Sequence, residues 1–301
     1  MRVTNNQYYI QMLRNIQRPT RQMLEIQNKL SSGKELNSYA DDPGGAGILE
    51  KYRSVRRESD QFVRNINDGK IWISQTEASL DRLEENLIRA KSLAVQAAND
   101  SNSPSDRISI GEEVNQILED TLSVANTNFR GKYLFAGLNT DARPYVETRD
   151  GDGNIDSVGF GTDNTGMINR AINENVNVQI NVPGDDVFDL TNGPIASLIN
   201  LRNALMNNNV DEISNGIDTM DAAMEMSLSA RTDLGSRESR METTQFFHES
   251  ISIDYTSYIS QIEDADYAEL SVKLTTAETG YKAAISTTAR IVQTSLVDLL
   301  T

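Results

Sequence analysis

The feature that most constrains this chain is an apolar repeat with alternating spacings of four and three residues, which runs from residue 48 to residue 97. Such spacing puts one stripe of side chains on a single helix face and is typical of helices that pack against other helices. The stripe is longer than most globular helices. Asp42 and Pro43 stand where an N-cap residue and a first-turn proline belong, so we predict one helix from about residue 43 to residue 99.

The same repeat marks both ends of the chain and a second long segment. It predicts a first helix that Gly33 ends, a long helix whose stripe spans residues 230–262, and a last helix beginning near Leu270. Residues 264–266 separate the last two. Pro19 lies inside the first helix, where a proline removes a hydrogen bond and costs about 3 kcal/mol, so we expect a kink or a break there.

Between the two long helices the pattern predicts two shorter ones. Ser103 and Asp106 form a plausible capping pair around Pro104 at the start of a third helix, and Gly131 is expected to end it. A fourth helix is expected near residues 194–207.

A different period occupies residues 132 to about 190. Valine and isoleucine at 176, 178, 180 and 182 alternate with Asn177, Gln179 and Asn181, which is the two-residue period of a strand. With a turn at residues 151–153, this segment predicts a small antiparallel β module.

These elements predict a mostly α fold with a small inserted β module. We expect an elongated helical rod of long antiparallel helices, with the N- and C-terminal helices paired as a coiled coil. Three domains follow: residues 1–40 plus 265–301 as the terminal coiled coil, 41–140 plus 193–264 as the long-helix rod, and 141–192 as a β-rich outer domain.

Two short polar segments are expected to join the terminal helices to the long ones. Their predicted joint residues are Asn37, Asp41, Asp42, Pro43, Asp264 and Asp266. The glycines at 44, 45 and 47 form no nucleotide-binding pattern, and we interpret them as part of a flexible joint.

The terminal helices carry polar residues on their apolar stripes, among them Thr20, Gln27, Thr288 and Ser295. Such positions set register at some loss of stability, so an isolated pair of these helices should be marginal. Packing against copies of the same chain would supply the missing apolar contacts. The predicted assembly-interface residues are Leu13, Ile16, Met23, Leu30, Leu270, Leu274, Tyr281, Ile285, Ile291 and Leu296.

Composition excludes several classes of protein. The formal charge of -16 argues against nucleic-acid binding, which needs a basic surface. The absence of cysteine excludes thiol enzymes and zinc ribbons. The chain shows neither a signal-peptide core nor an apolar run near the roughly 20 residues of a membrane span, a pattern that favours the cytoplasm unless secretion uses no cleavable signal.

Motifs that could carry chemistry are incomplete, so we predict no catalytic, cofactor or metal site. His248-Glu249 resembles the start of a zinc-protease motif, but Ser252 stands where the second histidine belongs. Residues 150–156 resemble the opening of a calcium loop, but Ile155 occupies the glycine position. A glycine-rich hairpin turn is the simpler interpretation.

With these residues in view, the chain resembles the flagellin family. Residues 30–34 (LSSGK), 37–38 (NS) and 41–43 (DDP) are similar to that family's N-terminal signature. Residues 129–137 (FRGKYLFAG) and 264–269 (DADYAE) resemble the branch of the family that forms the hook-filament junction.

The resemblance implies a structural protein of the bacterial flagellum, with no enzymatic activity, that self-assembles to join hook and filament. It implies secretion through the flagellar type III pathway with an export chaperone and the export apparatus. The implied neighbours are other copies of the chain, hook-associated protein 1 on the hook side and flagellin on the filament side.

Two alternatives stay open. The chain could be flagellin itself, the subunit of the filament. It could also be a soluble coiled-coil protein or enzyme that uses its acidic β module to bind a cation or a sugar.

Overall fold

The structure is a computed structural model that describes residues 2–99 and 102–300, with side-chain environments described for residue 7 and for residues 10–99 and 102–290. It divides into two compact units. We call Met1–Ser59 with Ser250–Thr301 the terminal unit, and Asp60–Glu249 the central unit.

The described chain contains six α-helices, a short 3-10 helix at Gly184–Asp186 and three strand pairs. The helices are α1 (Arg2–Ser32), α2 (Pro43–Ala97), α3 (Pro104–Ala125), α4 (Pro194–Met206), α5 (Val210–Glu263) and α6 (Tyr267–Leu300). The strands are β1 (Asn128–Phe129), β2 (Lys132–Tyr133), β3 (Tyr145–Arg149), β4 (Ile155–Phe160), β5 (Asn169–Asn173) and β6 (Val176–Gln179). The predicted class, mostly α with a small inserted β module, is confirmed.

In the terminal unit α1 packs along α6, as predicted for the two ends of the chain. The first helix runs through Pro19 without a break, contrary to one of the two outcomes expected there. The lost backbone donor leaves the carbonyl of Asn15 without its usual helical partner, and the Thr20 hydroxyl donates to the carbonyl of Ile16 at 2.9 Å.

In the central unit α2 and α5 lie antiparallel. Ion pairs join Lys91 to Asp221 at 2.5 Å and Lys70 to Glu242 at 3.9 Å, and Arg231 pairs with both Asp81 and Glu84. As the residue number falls along α2 it rises along α5, which confirms the predicted pairing of the two long helices.

One buried apolar cluster holds the central unit together, and all its members lie between Ile66 and Met241. The cluster includes Ile73, Leu80 and Leu87 from the apolar stripe of α2, and it also includes the inner faces of α3 and α4. Since burying a leucine or isoleucine is worth about 1.5–3 kcal/mol, this cluster gives the central unit a core of its own.

The start of α3 agrees with the prediction and its end does not. Ser103 and Asp106 form a complete capping box, with Pro104 in the first turn. The helix ends at Ala125, not at Gly131, because the Asn126 side chain donates to the carbonyl of Leu122 at 3.1 Å. Gly131, at φ +81 beside Arg130 at φ +53, instead makes the tight turn between β1 and β2, which needs two residues with positive φ.

The β module consists of three separate antiparallel pairs, β1-β2, β3-β4 and β5-β6. The predicted turn at residues 151–153 joins β3 to β4, where the Asp150 carboxylate accepts backbone hydrogen bonds from Asp152 and Asn154 at 2.9 Å. These bonds and the β3-β4 pairing form the hairpin turn that the sequence favoured.

The predicted alternation after β6 fails at Asn181, which is buried. Its side chain accepts from the backbone of Ile168 at 2.7 Å and donates to the carbonyl of Gly166 at 3.0 Å. A buried amide is tolerated when it is hydrogen-bonded, so two distant backbone groups override the local pattern.

His248 is a packing residue. It is buried between Phe62 and Phe247, and its Nε2 lies 2.9 Å from the carbonyl oxygen of Ile172. Among the described residues no group of histidine and carboxylate side chains is placed to hold a metal ion. Nor does any described helix combine the length and apolar character of a membrane span. The three-domain division stays a prediction.

Candidate assembly interface

Gly33 ends α1 as predicted. It adopts φ +71, a conformation that side-chain-bearing residues rarely accept, and its amide donates to the carbonyl of Lys29 at 2.9 Å. A Cβ at this position would lie 2.7 Å from the Tyr267 hydroxyl. This turn therefore fixes the direction in which the chain leaves the terminal helix.

The two predicted joints are hydrogen-bonded to each other. The Glu35 amide donates to the carbonyl of Glu263 at 2.7 Å, and the Ala265 amide donates to the carbonyl of Gly33 at 3.0 Å. Lys34 and Asp264 form an antiparallel bridge between these bonds. Sequence reasoning placed both joints but had no signal for this pairing, because the partners lie far apart in the chain.

The predicted aspartates of the joints hold backbone amides. Asp41 accepts from Asn37 at 3.1 Å and from Ser38 at 2.8 Å. Asp42 accepts from Gly44 at 3.0 Å and so caps α2, which begins at Pro43.

The second joint is held in the same way. Asp266 caps α6 by accepting from Ala268 at 2.8 Å and Glu269 at 3.1 Å, and Asp264 accepts from the Ser260 hydroxyl. Each joint therefore ends in a capped helix start, which satisfies amides that the helix itself leaves free.

The sequence suggested that the glycines after Pro43 are part of a flexible joint. This interpretation is wrong, because they are helical. Gly44, Gly45 and Gly47 lie in the first turns of α2. A Cβ on Gly45 would lie 2.5 Å from the Asp42 carboxylate, so the glycine makes room for the cap of this helix.

Glu263 anchors the joints electrostatically. Only 5% of the residue is exposed, and its carboxylate pairs with Lys34 and, at 2.6 Å, with Arg53. Burial by itself would raise the pKa of Glu263, but hydrogen bonds and charge interactions with the two cations hold this pKa below its ordinary value. The side chain is therefore ionised at neutral pH and links both joints to α2.

The described part of the terminal helices has almost no core. No described α1 residue is buried, and in α6 only Leu270 is buried, at 3% exposed. Of the predicted interface residues, Ile16, Met23, Leu30, Leu274 and Tyr281 are half-buried. Leu13 and Ile285 are exposed at 40% and 42%, while the side chains of Ile291 and Leu296 lie outside the described residues.

Sequence reasoning missed further exposed apolar side chains on the same helices, namely Ile10, Leu24 and Val272. They lie off the four-and-three stripe. Their positions could have indicated a further contact surface. In a two-helix pair, apolar residues off the stripe face away from the partner helix.

Five hydroxyl groups of α6 are hydrogen-bonded within the helix. Each donates to the carbonyl four residues earlier, and they belong to Ser271, Thr275, Thr276, Thr279 and Thr287. A hydroxyl that is already hydrogen-bonded can enter an interface without leaving an unsatisfied donor. These five residues are therefore compatible with burial against another helix.

The two units differ in net charge. The terminal unit holds 13 Lys/Arg and 13 Asp/Glu and is formally neutral, whereas the central unit holds 15 and 31 and carries all of the net -16. Copies of a neutral surface do not repel one another at long range, while copies of a strongly acidic one do. The terminal unit is thus the part suited to close packing between copies.

Comparison with known proteins agrees with this geometry. Residues 3–140 match the bacterial flagellin N-terminal helical region, and residues 217–300 match the bacterial flagellin C-terminal helical region. Together the two matches cover more than half of the chain and include every predicted joint residue.

One similar protein is flagellin FlaB1 of Treponema pallidum, 29% identical over 249 residues that cover 82% of this chain and 80% of that protein. A structure described as that of a flagellar hook-associated protein from Vibrio parahaemolyticus has a TM-score of 0.66 at 20% identity, covering 74% of this chain and all of that one.

The flagellar junction protein FlgL from Legionella pneumophila has a TM-score of 0.56 at 16% identity, covering 73% of this chain and 100% of that one. At these identities the two structures show a shared fold and no more. The paired terminal helices and the two family matches lead to one conclusion: the chain belongs to the flagellin family and is a structural component of the bacterial flagellum, not an enzyme.

Proposed function

We propose that this chain forms the junction between hook and filament by self-assembly through its terminal helices. The observation that carries the proposal is that, among residues 10–32 of α1 and 267–290 of α6, only Leu270 is buried. A helix pair without a core is marginal in water, and other copies of the chain would bury its exposed apolar side chains. The predicted interface residues belong to this proposal.

The fold supports the proposed position at the junction. Solved structures that share this fold include a junction protein and hook-associated proteins. Its neighbours would then be hook-associated protein 1 and flagellin. Secretion would use the flagellar type III pathway with an export chaperone and the export apparatus.

A second candidate is the filament subunit itself, which the flagellin relatives favour. The two candidates differ in where the protein lies along the flagellum. An epitope inserted between Gly151 and Gly153, an exposed hairpin turn, would be visible to gold-labelled antibody on intact flagella. Label confined to the hook-filament boundary supports the junction, and label along the whole filament supports flagellin.

Self-assembly is tested by charged substitutions at exposed predicted interface residues. We expect Leu13→Asp and Ile285→Asp to abolish assembly while leaving the helix content of the soluble chain unchanged, because neither side chain is buried within its own copy. Leu138→Asp, at an exposed leucine of the central unit, is the matched control and should assemble. Normal assembly of both terminal-helix variants would contradict the proposal.

A further inference from the structure

Three arginines form a positive face on α1. Arg14, Arg18 and Arg21 are spaced by four and three residues, so their side chains lie on one side of the helix. All three are exposed, and none makes an ion pair or hydrogen bond with another described residue. We call them the arginine face.

The charge of this helix is balanced elsewhere in the terminal unit. The α1 segment contains five Lys/Arg and one Asp/Glu, while the rest of the terminal unit contains eight and twelve. A neutral unit is therefore built from one helix of +4 and a remainder of -4. A cationic helix surface of this kind can attract exposed carboxylates of another copy.

A receiving surface lies on α2 and α5 of the same unit. The rings of Tyr52, Tyr255 and Tyr258 contact one another with centroids 5.3 to 5.8 Å apart. Tyr258 is 45% exposed. Asp254 lies one turn before it, is exposed, and has no ion-pair partner among the described residues. We call these four residues the tyrosine patch.

The two surfaces match in chemistry and spacing. A guanidinium stacks on a tyrosine ring and donates a forked pair of hydrogen bonds to a carboxylate. Arg14 and Arg18 are four residues apart, as are Asp254 and Tyr258, and four residues rise about 6 Å along a helix. One arginine can therefore pair with Asp254 while the next stacks on Tyr258.

We propose that the arginine face of one copy docks on the tyrosine patch of a second copy. The inference rests on the proposed self-assembly and names the contact between copies. A contact between two different surfaces can repeat from copy to copy, and in that arrangement it adds subunits in a ring or a helical layer.

The absence of cysteine from the chain allows a direct test on the full-length protein. Chains with Arg18→Cys and chains with Tyr258→Cys, distinguished by tags of different mass, are mixed, concentrated and oxidised. We expect disulfide-linked pairs of unlike chains in the assembled fraction, because each chain carries one thiol and the two thiols meet only between copies.

The matched control replaces Tyr258→Cys by Thr256→Cys, an exposed position on the opposite side of α5. If unlike pairs form no more often with Tyr258→Cys than with Thr256→Cys in assembled material, the docking contact is wrong and self-assembly stands. If sedimentation shows that nothing assembles, the proposed function fails together with this inference.

Charge exchange gives a second readout. With Arg18 stacked on Tyr258, Arg14 is the arginine that pairs with Asp254. Asp254→Arg should therefore raise the concentration needed for assembly about two- to fivefold, the contribution of one exposed ion pair beside a stacked arginine, and Arg14→Asp in the same chain should restore it. Arg57→Asp in place of Arg14→Asp is the control, since Arg57 pairs with Glu50 of its own copy. Equal rescue by both would overturn the proposal.

Discussion

At the scale of single residues, the terminal unit depends on one backbone conformation and one buried charge, and both are open to test. Gly33 has the positive φ that ends α1. Glu263 binds the two cations that hold the joints together. Sequence reasoning identified the first from the position of a glycine after an apolar stripe. It did not identify the second, since a glutamate in a polar helix carries no local sign that it will be buried.

Gly33→Ala should destabilise the terminal unit by about 1–2 kcal/mol, because alanine is strained at positive φ and its Cβ would meet the Tyr267 hydroxyl. Urea unfolding of the full chain followed by circular dichroism measures the loss. Gly47→Ala is the control: Gly47 is helical with nothing within 4 Å of an added Cβ, so this change should stabilise by about 0.5–1 kcal/mol. Equal destabilisation by both substitutions would show that φ is not the cause.

Glu263→Gln should destabilise the terminal unit at neutral pH by about 1–2 kcal/mol, because it removes two charge-assisted hydrogen bonds. The pKa of Glu263 is lower in the folded than in the unfolded chain. Its contribution is therefore complete above the ordinary glutamate pKa of about 4.3 and is lost as pH falls through the folded-state pKa.

The difference between wild type and Glu263→Gln should accordingly disappear in acid, as urea unfolding at a series of pH values would show. Glu50→Gln, at an exposed ion pair of the same unit, serves as the comparison and should change stability little. A difference for Glu263→Gln that persists unchanged in acid would mean that its charge is not what stabilises the joints.

At the scale of elements, the start of α3 could be predicted and its end could not. The start of α3 is determined by three nearby residues, Ser103, Pro104 and Asp106. Its end depends on Asn126, whose side chain also donates to the carbonyl of Tyr145 and accepts from the amide of that residue, both at 3.0 Å. A cap that is shared with a strand nineteen residues away cannot be read from local pattern.

The capping box of α3 predicts a measurable cost. Ser103→Ala should lower the free energy of unfolding by about 1 kcal/mol, because the Asp106 amide loses the side-chain acceptor that caps the helix. Ser109→Ala is the control within the same helix: its hydroxyl bonds only to the carbonyl of Ser105, so its loss should be neutral or slightly stabilising. Calorimetric unfolding of both variants measures the difference. A similar loss of stability in both would contradict the predicted contribution of the Ser103 cap.

At the scale of the whole molecule, the sequence predicted the class of fold and the flagellar role, while the division of charge emerged only with the structure. The four-and-three stripes identify long paired helices from residue to residue. The neutrality of the terminal unit combines residues 1–59 with residues 250–301, two ranges that only the fold brings together. For the same reason the arginine face was visible in the sequence and the tyrosine patch was not.

Because of this division of charge, two opposing electrostatic effects act on assembly. Repulsion between central units, each at -16, opposes assembly. Attraction between the arginine face and the tyrosine patch favours it. Salt weakens both, since the Debye length falls from about 30 Å at 0.01 M to about 8 Å at 0.15 M.

Repulsion should dominate, because it acts over the whole central unit, whereas exposed ion pairs are worth only about 0–1 kcal/mol each. The concentration at which the purified chain assembles should therefore fall as salt rises, as sedimentation would measure. Replacing Asp185, Asp186 and Asp189 by asparagine, three carboxylates of the central unit, should lower that concentration at low salt and flatten the salt dependence. An assembly concentration that rises with salt would show instead that attraction between terminal units controls growth.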